Sequence, residues 1–263
     1  MREIRRSTAL SLAVATILAL AAFAAAPVLA ESHEEKMPGP IADLWMVWPK
    51  AGHEAQFATA IQAHLAWRKQ AGEGWTWSGF QPLVGTDLTY YVFRSGDHEW
   101  ADLDAQDAWE VKTKAGAEFN KSIMPHVDRL EHYITEQDFA NSHWAPAEDY
   151  KYFWVEDHVV KSGHQQDVRE ALGVLTKGLV DGGWTGSWAV SRSVGGAGGG
   201  LTLAFPYRTF AEMKEPEPGF MEILTKGMGS AEAAGAAMGK WDASIESSKT
   251  TIYVYRPDLS TKM

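Results

Sequence analysis

Two long stretches of the chain repeat one order of hydrophobic patterns. In the second stretch Val168, Leu172, Leu175 and Leu179 step by four, three and four residues, which predicts one apolar helix face. Phe57, Ile61 and Leu65 do the same in the first. Each helix is preceded by an aromatic, strand-like segment, Ile41 to Trp48 or Tyr152 to Val159, and by a Gly-His turn. Two more strands follow in each: Trp75 to Val84 and Leu88 to Arg94, then Trp184 to Val194 and Leu201 to Phe205. A helical region then leads to a last strand, Leu130 to Thr135 or Thr250 to Tyr255. The order β-α-β-β-α-β is that of the split βαβ, ferredoxin-like unit, which places the chain in the α+β class.

The two stretches are diverged copies. Trp48-Pro-Lys-Ala-Gly-His53 matches Val159-Val-Lys-Ser-Gly-His164, Gly74-Trp75-Thr76 matches Gly183-Trp184-Thr185, and Leu88 to Phe93 matches Gly200 to Phe205. The separation stays between 109 and 112 residues. The copies are predicted over 41–140 and 150–257, with a Pro-containing polar linker at 141–149 and a short tail at 258–263. Gly195 to Gly200 reads as a flexible hairpin loop without phosphate-binding spacing. Glu215-Pro-Glu-Pro-Gly219 interrupts the second helical region of copy two, so a short helix, a turn and further helices are expected up to about Ser244.

The first thirty residues change the picture of where the protein works. Arg2, Arg5 and Arg6 precede an apolar run from Leu10 to Ala26, and Val28-Leu29-Ala30 gives way to Glu31-Ser-His-Glu-Glu35. This is the pattern of a secretory signal cut after Ala30, predicting a periplasmic or secreted protein with a flexible start at 31–40. An uncleaved anchor is the alternative, although the apolar core is short for a membrane span. Arg5-Arg6 is followed by Ser7-Thr8-Ala9, a weak match to a twin-arginine signal.

Composition removes several classes of function. The net charge of −10 opposes binding to nucleic acid or anionic lipid. The absence of cysteine rules out disulfides, thiolate metal sites and cysteine nucleophiles. No motif for a metal or a cofactor is found: there is no His-Glu-x-x-His helix, calcium loop or Gly-x-Ser-x-Gly elbow. Twelve Trp, eight Tyr and ten Phe supply the core and the walls of a small-molecule pocket.

The period of two along a strand sorts candidate pocket residues. With Ile252 and Val254 toward the helices, Thr251, Tyr253 and Tyr255 fall on the opposite face, and Tyr133 matches Tyr253. With Phe153 and Val155 toward the helices, Tyr152, Trp154, Glu156 and His158 share the other face, as do Asp43, Trp45 and Val47 in copy one. Glu156 and His158 are the candidate catalytic pair, the carboxyl expected to stay protonated among aromatic rings. The same residues also suit an aromatic core in which both groups are satisfied internally. Trp45, Tyr133, Trp154, Tyr253, Trp75 and Trp184 are the candidate ligand-binding residues, the last two also suited to filling the core between sheet and helix. His53 and His164 fit a strand-to-helix turn, His126 and His132 a structural role beside the last strand of copy one.

Strand, Lys50-x-Gly52-x-x-x-x-Phe57 and helix together resemble the dimeric α/β-barrel superfamily. That group includes antibiotic-biosynthesis monooxygenases, stress-responsive barrel proteins and, as fused tandem units, chlorite dismutases and dye-decolorising peroxidases. The resemblance spans residues 41–256 in element order. It implies two ferredoxin-like sheets closing an intramolecular α/β barrel, with ligands in or beside the barrel on the face away from the helices. The Gly-x-x-Asp-Gly haem motif of dye-decolorising peroxidases is missing. For a haem, His158 or His164 would be the first axial ligands to consider.

Three functions are compatible with these features: binding of a small aromatic or amphipathic molecule in the barrel, cofactor-independent or haem-dependent oxidoreductase chemistry, and a scaffold whose partners are read by Glu215 to Gly239.

Overall fold

The computed structural model describes residues 38–145, 149–196 and 200–261. The predicted signal segment, most of the expected flexible start, part of the linker and the tip of the glycine-rich loop lie outside these residues. Among them, no helix is long and apolar enough to cross a membrane.

The first copy comprises β1 (Ile41–Pro49), α1 (Glu54–Gln70), β2 (Ser78–Val84), β3 (Tyr91–His98), α2 (Trp100–Thr113), α3 (Ala115–Ser122) and β4 (Val127–Gln137). The second comprises β5 (Tyr152–Val160), α4 (Gln165–Gly182), β6 (Ala189–Gly195), β7 (Gly200–Tyr207), α5 (Phe220–Met228), α6 (Ala231–Ser244) and β8 (Ile245–Tyr255). The eight strands close a barrel in the order β1-β3-β2-β8-β5-β7-β6-β4, every pairing antiparallel. Each copy contributes four neighbouring strands, and the seams β2–β8 and β4–β6 join them. The chain is therefore α+β, two tandem ferredoxin-like units making an α/β barrel within one polypeptide.

Both faces of the sheet are buried. Outside, Phe57 and Ile61 of α1 pack on Val47, Tyr91 and Phe93, and Val168 and Leu172 of α4 pack on Val190 and Leu201. Inside, Trp48, Tyr90, Val92 and Tyr253 form the lumen core with Phe80 and Phe153. Each such core is a non-polar cluster that removes its side chains from water.

This double burial corrects the assignment of faces in β1 and β5. Phe153 and Val155 point into the lumen, so Trp154, Glu156 and His158 face the helices, as do Asp43, Trp45 and Val47. Trp154 stands opposite Ile252, and directly paired residues share a face. The assignment in β8 agrees with the structure: Tyr253 is in the lumen core and Tyr255 packs on Phe80. Alternation of apolar and polar residues identifies the buried face only when the other face meets water.

Two connections tie the copies to their surroundings. The segment after β8 returns to the first copy: Leu259 is wholly buried against α1 and β2, Ser260 Oγ accepts from Gly79 N at 2.9 Å, and Trp77 and Thr261 exchange two hydrogen bonds. The interruption of copy two resolves into α5 and α6 packed on α4. There the backbones touch through glycine, because a Cβ on Gly227 would lie 1.8 Å from Gly178 O and 2.6 Å from Gly182 N. Gly227→Ala is expected to push α5 off α4 and lower stability by about 1–3 kcal/mol or more, read as a lower urea midpoint. A wild-type midpoint would refute the close approach.

Candidate functional site

In the second copy the predicted pair is present, with His158 enclosed and Glu156 partly exposed. Trp154 Nε1 donates to Glu156 Oε1 at 3.0 Å, Glu156 Oε2 lies 3.5 Å from His158 Nε2, and His158 Nδ1 meets Ser248 Oγ at 2.7 Å. The Trp241 ring of α6 stands edge-on to His158 at 5.2 Å, and only 5% of His158 is exposed. Glu156 does not stay protonated as its aromatic setting suggested. The adjacent His158, and then the Trp154 N–H, hold it below the usual carboxylate range against the opposing effect of burial.

The tyrosines belong to the lumen. Tyr133 Oη donates to Glu131 at 2.5 Å, and burial followed by Glu131 pushes its pKa up to about 12. Tyr90 and Tyr253 share a hydroxyl bond of 2.6 Å, and burial raises both. The structure thus divides the six predicted ligand-binding residues, with Tyr133 and Tyr253 inside the barrel and Trp45, Trp75, Trp154 and Trp184 on its helix side. Trp184 packs edge-on to Phe220 at 5.9 Å, closing the space under α5.

The more open arrangement is in the first copy. Register places Trp45 opposite His132 of β4 and Asp43 opposite Ser95 of β3. Trp45 and His132 stack at 3.9 Å and 6°. Asp43 accepts from Trp45 Nε1 at 3.2 Å through one oxygen and forms a short bond with His132 Nε2 through the other. Beside it Ser95 Oγ meets His98 Nε2 at 2.7 Å, and Trp75 stacks on His98 at 3.8 Å and 16°. Burial, the largest cause, lowers the His98 pKa, opposed by Asp102, Asp97 and Asp43.

The result is a ribbon of His132, Asp43, Ser95 and His98 capped at each end by a tryptophan. The Asp43 side chain is 11% exposed and that of His132 is 43% exposed. A buried carboxylate orienting a reachable imidazole is the arrangement that lets histidine accept or donate a proton. His132 Nδ1 is the nitrogen left without a protein partner among the described residues. Sequence reasoning grouped Asp43 with Trp45 but set His132 aside, since only the pairing of β1 with β4 brings residues 43 and 132 together.

Other candidates are separate from this ribbon. A cleft of about 540 Å³ opens between α4 and the β6–β7 hairpin, lined by Val168, Leu172, Ser191, Arg192 and Leu201 among others, and it holds none of the predicted site residues. His53 does not cap α1 with its side chain; its Nδ1 lies 3.2 Å from His126 Nδ1. No group of three or more His, Asp or Glu converges as a metal site among the described residues. Of the two histidines considered for a haem, His158 is sealed by Ser248, Glu156 and Trp241, and His164 lies at the surface with its Nδ1 paired to Asp167 at 3.1 Å.

No family model matches the chain, and no curated protein does. Solved structures do. A monooxygenase-like protein of Lactobacillus acidophilus aligns over 85% of this chain and 96% of its own, with a TM-score of 0.53 and 10% identity. A second monooxygenase-like protein, from Fusobacterium nucleatum, covers 83% and 93% at a TM-score of 0.52 and 10% identity. A chlorite dismutase variant from Candidatus Nitrospira defluvii covers 86% and 97% at a TM-score of 0.52 and 9% identity. Identities this low carry the fold and leave the chemistry to the site. The tandem units, the closed barrel and these likenesses together show that the chain has the α/β-barrel fold of these proteins, with both halves of the barrel supplied by one polypeptide.

Proposed function

We propose that this protein, after export, binds a small aromatic or amphipathic molecule on the helix side of its first sheet, against Trp45, His132 and Trp75. The observation that carries this reading is the half-exposed His132 held flat on Trp45 by Asp43, while His158 in the second copy is sealed. The lumen suits a ligand less well at its centre, where Trp48, Tyr90, Tyr253, Phe80 and Phe153 pack together. A ring that extends the Trp45–His132 stack would gain about 0.5–1.5 kcal/mol beyond its burial. A hydroxyl on that ring would find His132 Nδ1 as acceptor.

The same dyad supports a second reading, cofactor-independent oxidoreductase chemistry of the kind suggested by the monooxygenase-like fold neighbours. In that reading His132 takes the proton of an acidic aromatic hydroxyl, and Asp43 stabilises the imidazolium so formed. The deprotonated ring is electron-rich, and molecular oxygen as co-substrate would have to accept its electrons.

Tryptophan fluorescence titration with 1-naphthol, compared with naphthalene, tests the binding on which both readings rest. Trp45→Leu is expected to weaken binding of both at least tenfold, about 1.4 kcal/mol. Asp43→Asn is expected to remove the preference for the hydroxylated ring while sparing naphthalene. Unchanged affinities in both variants would end the proposal for this face.

A further inference from the structure

Every described arginine but one has a polar partner. Arg68 binds Glu73, Arg129 approaches Glu131, Arg169 binds Gln166, Arg192 binds Glu136, Arg208 binds Asp149, and Arg256 binds Asp258. Arg94 has no hydrogen bond and no ion pair among the described residues. It stands on β3 opposite Leu44 of β1 and Ser78 of β2. Leu44 belongs to the lumen core, so Arg94 faces the lumen.

We infer that Arg94 is the anchor of an anion site in the barrel lumen, and that its ligand is a small organic carboxylate with an apolar body. This site is distinct from the helix-side face of the first sheet and does not depend on it.

Three observations support the inference. First, a guanidinium stays charged and carries five N–H donors in a planar fork, and the half-buried Arg94 spends none of them on a described residue. Burial lowers the Arg94 pKa, and Asp97 alone opposes it. Second, the lumen makes room for the group: a Cβ on Gly96 would lie 2.4 Å from Arg94 Nη1 and 2.9 Å from Cζ and Nη2. Only glycine lets the guanidinium rest there. Third, the neighbouring lumen wall is apolar. Leu44 stands opposite the arginine and Val92 precedes it on the same face, at the edge of the packed lumen core rather than within its centre. A bidentate carboxylate matches the fork, and an aromatic or aliphatic body matches the wall. Arg129, also on the lumen face, lies over the Trp48 ring at 3.6 Å with Glu131 at 3.6 Å, and so already has an aromatic and an acidic neighbour.

The test is thermal unfolding of the whole protein in benzoate, in benzyl alcohol and in sodium sulfate at matched ionic strength. Benzoate is expected to raise Tm by about 2 °C or more at saturation, with benzyl alcohol and sulfate weaker. Arg94→Met is expected to abolish the benzoate shift. Should that variant not fold, Arg94→Lys keeps the charge without the fork and is expected to bind benzoate at least tenfold more weakly. Trp45→Leu, which alters the other face, should retain the full benzoate shift. The proposal is overturned by the absence of a benzoate shift in the wild type, by a shift that survives loss of the Arg94 fork, or by equal shifts from benzoate and sulfate.

Discussion

Glu73→Ala is expected to cost about 3–5 kcal/mol of folding free energy, the largest single effect foreseen for this protein. Glu73 lies just past α1 with its side chain 3% exposed. Its two oxygens accept from Arg68 Nε at 2.7 Å and Arg68 Nη2 at 2.5 Å, while Trp77 Nε1 and Gln106 Nε2 donate to it at 3.1 and 2.9 Å. Arg68, 11% exposed, is further enclosed by the Trp77 and Trp109 rings at 5.3 and 5.1 Å. Removing the carboxylate leaves that guanidinium with Glu110 at 3.3 Å as its remaining acid, strands Trp77 Nε1, and leaves Gln106 Nε2 only its longer bond to Glu110 at 3.4 Å. A buried ion pair adds little over a well-packed apolar pair, but half of one is strongly unfavourable. Against a total of about 5–15 kcal/mol the variant should be partly unfolded at room temperature or melt far earlier. Glu73→Gln, which retains one acceptor, should lose less. A loss below about 1 kcal/mol for Glu73→Ala in urea unfolding would contradict this account of the cluster.

The second large effect is a dependence on pH from His64. This residue of α1 is 5% exposed, lies beside Trp67 at 5.5 Å and Phe119 at 5.6 Å, and has no hydrogen bond at either ring nitrogen. Burial first, then the positive Arg68, lowers its pKa to about 4, with Glu73 opposing. In the unfolded chain the same group titrates near its ordinary value of 6.5. Between those values the unfolded state binds a proton that the native state refuses. Stability from this group is therefore fully present above about pH 6.5 and is lost as pH falls toward 4, by about 3 kcal/mol. Burial lowers the His98 pKa too, so His98 adds to the same acid sensitivity. The depressed Glu156 adds its loss only at lower pH, below its ordinary 4.5. His64→Phe should flatten the limb between pH 6.5 and 4, measured as urea midpoints across that range. An unchanged slope would show that His64 remains neutral for no cost or is protonated in the fold. Because Arg68 touches both predictions, the double variant with Glu73→Ala is not expected to be additive.

Much of the fold was legible in the chain itself. The matched Gly-His turns, the helix faces led by Phe57 and Val168, and the aromatic strands predict two β-α-β-β-α-β units, because these patterns report local geometry and burial. Strand limits were less legible: Trp75 and Trp184 precede β2 and β6, since β propensity in an aromatic run does not say where pairing begins. The face of β5 was not legible either, because closing the barrel buries both sides, and Phe153 is as apolar as the helix-side Trp154.

The candidate site depended still more on tertiary structure. Trp45 and Trp75 were recognisable as ligand-wall residues by type, and Asp43 by its place two residues from Trp45. Their partners His132 and His98 were not, since hydrogen bonds across strands follow register, and register is set by the packing of whole sheets. The same holds for Leu259, read as part of a tail and found in the core of the first unit, and for Arg94, whose lack of a partner shows only when the barrel has closed around it. The sequence by itself determined the repeated units, because short-range periodicity encodes them. Tertiary structure decided which side chains meet, because contacts between distant strands exist only once eight of them have found a common register.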